Sequence, residues 1–83
     1  MRDYLDLQKA PHNREEHNIY KARTRAVALT FARRYGWSAK NLRLACSHVD
    51  AWWVIAQCIG DQMTFLCRDG SWVTLPYPGY VKK

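Results

Sequence analysis

The chain has 83 residues, 48% of them hydrophobic and 24% charged, with a formal net charge of +6. That length gives one domain with a single small core, and four glycines and three prolines exclude a collagen-like or low-complexity chain. No apolar run approaches the ~20 residues that a membrane-spanning helix needs, and the opening Met1-Arg2-Asp3-Tyr4-Leu5-Asp6 lacks the apolar stretch of a signal peptide.

In chain order, residues 1–12 read as a lead-in segment ending near Pro11, with Leu5 and Leu7 spaced two apart as suits a short extended piece, a helical turn being the alternative. A helix is predicted over residues 13–36. Asn13 is its N-cap, Glu16 the reciprocal capping partner three residues on, and Gly36 the C′ residue. Tyr20, Thr24, Val27, Ala28, Phe31 and Tyr35 then fall on one uncharged arc of about 100°, which is the expected core face. Residues 42–75 read as four strands of an antiparallel meander. Their turns are predicted at Asp50-Ala51, at Gly60-Asp61 as type II′ and at Asp69-Gly70 as type I′. Residues 76–83, with Pro76 and Pro78, form a loose tail. The expected fold is therefore α+β: one N-terminal helix packed on a four-stranded antiparallel sheet.

Two-residue turns would fix the register and sort the side chains. Leu42, Leu44, Cys46, His48, Trp53, Ile55, Ile59, Leu66, Val73 and Leu75 would share the helix-covered face. Trp52, Val54, Ala56, Cys58, Met63, Phe65, Cys67, Trp72 and Thr74 would share the other. That second face is too apolar to be idle surface, so the lead-in, the tail, a second copy of the chain in a homodimer or a partner must cover it.

The charge is local. Lys21, Arg23, Arg25, Arg33, Arg34, Lys40 and Arg43 carry seven positive charges with no acid among them, while residues 1–20 net −1 and residues 44–83 net zero. A basic segment of this kind implies an anionic partner, either an acidic protein surface, a nucleoprotein complex, or DNA or RNA directly. Trp37, next to Gly36 in the basic loop, is a candidate anchor for that partner. These eight residues are the candidate binding set.

No catalytic set, cofactor motif or metal site emerges. Cys46 and His48 are two apart on one predicted strand, but they lack the further ligands of a zinc site and the orienting group of a nucleophilic pair. Cys46, Cys58 and Cys67 are an odd set without a paired spacing, as for reduced thiols in a cytoplasmic protein. Asp61 and Asp69 are turn residues. Trp52, Phe65 and Trp72 would cluster on the second sheet face, as half of a core or as a platform for stacking bases.

A helix followed by a small antiparallel sheet that ends in the hairpin Asp69-Gly70-Ser71-Trp72-Val73 resembles some small phage-encoded anti-CRISPR proteins over about residues 24–75. The resemblance implies a non-enzymatic, phage-encoded inhibitor that docks on a CRISPR effector or similar nucleoprotein complex in the host cytoplasm. A basic chain would not do so by mimicking DNA. The alternative from the residues alone is a direct nucleic-acid-binding protein that uses a basic helix and aromatic side chains.

Overall fold

The computed structural model describes residues 4–11, 14–37, 39–47 and 51–77. Five strands form one sheet in the order β1 (Tyr4–Leu7), β2 (Arg43–Ser47), β3 (Ala51–Ile59), β4 (Gln62–Leu66) and β5 (Trp72–Pro76). Among the described residues a single helix, α1 (Arg25–Phe31), continues into a π-helical turn over Ala32–Gly36. The α+β class and the antiparallel succession of β2 to β5 are as expected. The four-stranded antiparallel sheet is corrected to five strands with one parallel pair, because the lead-in forms β1 beside β2, from Tyr4↔Leu44 to Leu7↔Ser47. Parallel neighbours need a crossover connection, and the segment carrying α1 supplies it.

The helix is shorter than predicted. Residues 14–18 make one turn only, closed by Ile19 N–H donating to the Arg14 carbonyl (2.8 Å) and Asn18 N–H to the Glu15 carbonyl (3.2 Å). Asn18 takes a left-handed φ of 58°, and this paired closure around a left-handed residue ends a helix. The expected cap Asn13 lies outside the described residues. The chain then runs extended, with Ile19 bridging Cys67 and Ala22 bridging Trp52. Only at Thr24 does α1 begin: its backbone is extended (φ −131°, ψ 159°), and its hydroxyl accepts from Val27 N–H at 3.2 Å.

The core face of the helix also differs. Of the uncharged arc only Ala28 is fully buried; Tyr20 and Phe31 are half-buried, and Thr24, Val27 and Tyr35 are exposed. Ala28, Ala32 and Gly36, four residues apart, face the sheet instead. A Cβ at Gly36 would lie 3.1 Å from Leu42 Cδ1, 3.3 Å from Leu66 Cδ2 and 3.4 Å from Trp72 Cη2. The sheet supplies the bulk here, so the helix must supply small residues.

Sheet faces follow from the connections. Ser47 pairs with Ala51, which leaves three residues between β2 and β3 rather than two. That odd count places Val54 opposite Leu44 and Trp52 opposite Cys46, reversing which β3 residues share a face with β2. The Gly60-Asp61 connection is as predicted, with Ile59↔Gln62 and Cys58↔Met63 paired and Gly60 at φ 60°. Further along, the register shifts between Ile55 and Gln57, so Ala56 is an extra residue on β3 and Ile55 pairs with Phe65. The last hairpin also has a three-residue loop, Arg68, Asp69 and Gly70, instead of a type I′ turn. Gly70 N–H donates to the Cys67 carbonyl (3.0 Å), Cys67 N–H to the Ser71 carbonyl (2.8 Å), and Gly70 has φ 90°. This is a tight turn followed by a left-handed glycine. It pairs Leu66 with Trp72 and Phe65 with Val73.

The outcome is two apolar clusters, one on each sheet face. Beneath α1 lie Leu44, Val54 and Leu66 with Ala22, Ala28 and Ala32, flanked by Tyr4, Leu42, Trp52 and Trp72. The other face carries Leu7, Ala45, Trp53, Ile55, Met63 and Phe65, clustered with Ile19 and Tyr77 from outside the strands, with Leu5 and Ala10 packed against them. The chain thus closes its own second face. Tyr77, expected in a loose tail, is fully buried: its hydroxyl donates to the Lys9 carbonyl and accepts from Lys9 N–H. Its own N–H donates to the Asp61 carbonyl at 2.5 Å. Residues 78–83 of that tail lie outside the described residues.

Two stability tests follow from these contacts. Gly70→Val forces a β-branched residue into left-handed backbone and should cost about 1–3 kcal/mol in urea denaturation; an unchanged midpoint would mean the loop has another conformation. Tyr77→Ala should cost about 3–5 kcal/mol, as for other buried aromatic truncations, whereas Tyr77→Phe should cost only about 1 kcal/mol for the lost hydrogen bonds. Equal, negligible losses for both would place Tyr77 in solvent.

Candidate binding surface on the helix

Residues 21–43 wrap around α1, and the eight candidate residues divide into groups. Lys21 and Arg23 are exposed on the extended approach to the helix, and Arg25, half-buried, is its first residue. Arg33 and Arg34 are exposed in the π-helical turn, where the negative end of the helix dipole favours cations. Trp37 follows at 72% exposure, and Lys40 is exposed in the next turn. Along the helix, Arg25 and Arg33 are eight residues apart, which is about 12 Å at ~1.5 Å per residue. Arg43, exposed at the start of β2, belongs to neither group and lines a recess with Leu5, Ala56 and Ile59.

Between the two basic ends lies a surface built from part of the expected core face, of which Tyr20 and Phe31 are half-buried against the core and Val27 and Tyr35 are exposed. Tyr20 and Phe31 stack with ring centroids 3.6 Å apart and planes 7° from parallel. Phe31 meets Tyr35, four residues on, at 4.7 Å. The Arg34 guanidinium carbon sits 5.9 Å from the centre of the Tyr35 ring, at the limit of a cation–π contact. Tyr20, Ala26, Val27, Thr30, Phe31 and Arg34 line an open recess of about 310 Å³. Its lining was missed because lack of charge on a helix arc was equated with burial. The available signal was the four-residue spacing of Ala28, Ala32 and Gly36, which marks the side of closest approach.

Other expected groupings do not assemble. Trp52 and Trp72 lie on the helix side of the sheet, with Trp52 edge-on to Tyr4 at 4.9 Å. Phe65 is fully buried on the opposite side, so the three rings form no common platform. The buried Cys67 thiol donates to the His17 carbonyl at 3.3 Å, while Cys46 and Cys58 are half-buried. His48, like His12, lies outside the described residues. Among the described residues no group of three His, Cys, Asp or Glu side chains could hold a metal ion, and no helix is long and apolar enough to cross a membrane. Asp69 acts as a turn residue: its carboxylate accepts from Ser71 Oγ (2.6 Å) and Ser71 N–H (3.0 Å), and these bonds hold its pKa below the usual value.

Compared with protein-family models, curated proteins and solved structures, the chain matches none of them.

Burial raises the pKa of both Tyr20 and Tyr77 above the usual 10.0. A phenol whose folded pKa is raised holds its proton more tightly in the native state. Its contribution is therefore complete below pH 10 and is lost as pH rises through the folded value. The urea midpoint of the parent should fall faster above pH 10 than that of Tyr77→Phe; parallel profiles would mean that Tyr77 ionises as freely folded as unfolded.

Proposed function

We propose that this protein is a non-catalytic binding module that docks through α1 and its flanks on an anionic protein or nucleoprotein surface. One observation carries the reading: six of the seven cations between Lys21 and Arg43 are exposed, and five of them, all but Arg43, flank a partly exposed aromatic face. An inhibitor of a CRISPR effector complex, of the phage-encoded kind, is the specific form that the resemblance implies. Cations on exposed side chains raise encounter rates with an opposite surface, and desolvated rings supply the short-range contact.

A second reading, direct binding of single-stranded nucleic acid, is favoured by Trp37. Its largely exposed ring follows Arg33 and Arg34, and a free ring beside cations can stack an unpaired base.

Polyglutamate and a single-stranded oligonucleotide, titrated at several salt concentrations, separate the two. Nucleic-acid binding should lose affinity with a log–log slope of about −0.7 per phosphate contact. Arg33→Glu/Arg34→Glu and Lys21→Glu/Arg23→Glu should each weaken binding about tenfold or more, a loss of at least ~1.4 kcal/mol. Stability should shift by less than about 0.5 kcal/mol, because these side chains are exposed. If both double variants bind like the parent, the basic segment is only a solvated face.

A further inference from the structure

We infer that the recess along α1 is the seat of an apolar anchor side chain from an acidic amphipathic helical peptide of a partner protein. The inference rests on the reading of the chain as a module for anionic partners, and it names the chemistry of that partner. Five of the six lining residues, Ala26, Val27, Thr30, Phe31 and Arg34, recur at every turn of the helix, so the recess is a stripe rather than a hole. Tyr20 forms its wall. The wall is built before any partner arrives, because the Tyr20 ring is stacked on Phe31 and Tyr20 N–H donates to the Leu66 carbonyl at 2.9 Å. A preformed apolar stripe on a helix suits a second helix laid along it, with anchors at positions i and i+4. Val27, at 49% exposure, is the aliphatic contact such an anchor would cover.

Charge selects the occupant. The charged side chain lining the recess is Arg34, and Lys21 adjoins Tyr20 in sequence. From His17 to Val49 the chain contains no Asp or Glu. A peptide with basic flanks would be repelled, and one with acidic flanks would be drawn in. The lining also disfavours a nucleobase here. Tyr20 and Phe31 already use one ring face on each other, and Ala26, Val27 and Thr30 offer no ring to stack. The open ring that a base would choose is Trp37, which does not line the recess.

The test is an array of helix-forming peptides in which anchors (Leu or Ser at i and i+4) and flanks (Glu, Gln or Lys) vary independently. It is probed with the parent, Val27→Ser and Arg34→Gln, with polyglutamate and a single-stranded oligonucleotide measured alongside. Binding is expected only where Leu anchors and Glu flanks occur together. Val27→Ser should weaken those peptides about tenfold, ~1.4 kcal/mol, while leaving polyglutamate affinity unchanged; Arg34→Gln should weaken both. Val27 is exposed, so its variant keeps the fold, and circular dichroism verifies this. Equal binding of Ser-anchored and Leu-anchored acidic peptides, or an array without signal beside normal polyglutamate binding, overturns the recess while leaving the anionic-partner reading intact. An oligonucleotide that displaces the Leu–Glu peptides and loses affinity with Val27→Ser assigns the recess to nucleic acid and also overturns it. Loss of all anion binding in the parent instead sinks the broader reading.

Discussion

The contact of Ala28, Ala32 and Gly36 with the sheet is the constraint on which the rest of the molecule depends. A Cβ at Gly36 would press on Leu42, Leu66 and Trp72, which would have to give by a few tenths of an ångström, so this packing favours the helix's smallest side chains toward the sheet. With Ala28, Ala32 and Gly36 inward, Val27 and Thr30 lie on the outer side of the helix, while Phe31, on its flank, stacks on Tyr20 and packs half-buried against the core beneath. Tyr35, Arg33 and Arg34 are exposed in the π-helical turn. The outward aromatic and basic surface is thus a consequence of how the inner face packs.

A second constraint comes from the sheet. Both its faces are apolar, and among the described residues only one helix is available to cover them. The other face is closed by short pieces from distant parts of the sequence: Ala10 from beyond β1, Ile19 from the extended segment and Tyr77 from beyond β5. The hydrogen bonds between Tyr77 and Lys9 join those two ends across the cluster. Phe65 is buried by these pieces while Trp52 and Trp72 lie on the opposite face, so the expected stacking platform does not form, and the helix surface is left as the place where rings and cations meet.

Much of this was legible in the sequence, and the misreadings share a cause. The α+β class, the extended lead-in, the Gly60-Asp61 hairpin and the succession of β2 to β5 were all signalled by local patterns of turn residues and alternation. The remainder was decided by parity and by competition. A third residue between Ser47 and Ala51, another in the loop at Gly70 and the extra residue Ala56 each shift a register by one, which reverses side-chain direction. The helix start was moved because Asn18 stops the first turn and Ile19 is drawn into the core, both of which outweigh alanine-rich propensity. The basic residues were found because charge is read directly from residue type. The recess beside them was not, since its exposure depends on which helix face the sheet accepts.

The central claim, that α1 turns its alanines inward and its larger residues outward, is tested most directly by NMR with a soluble paramagnetic agent that broadens solvent-facing methyl groups. The account predicts strong broadening of the Val27 methyls and protection of the Ala28 and Ala32 methyls. Protected Val27 methyls beside broadened Ala28 and Ala32 methyls would mean that the helix is rotated, with its rings in the core and no aromatic surface left for a partner.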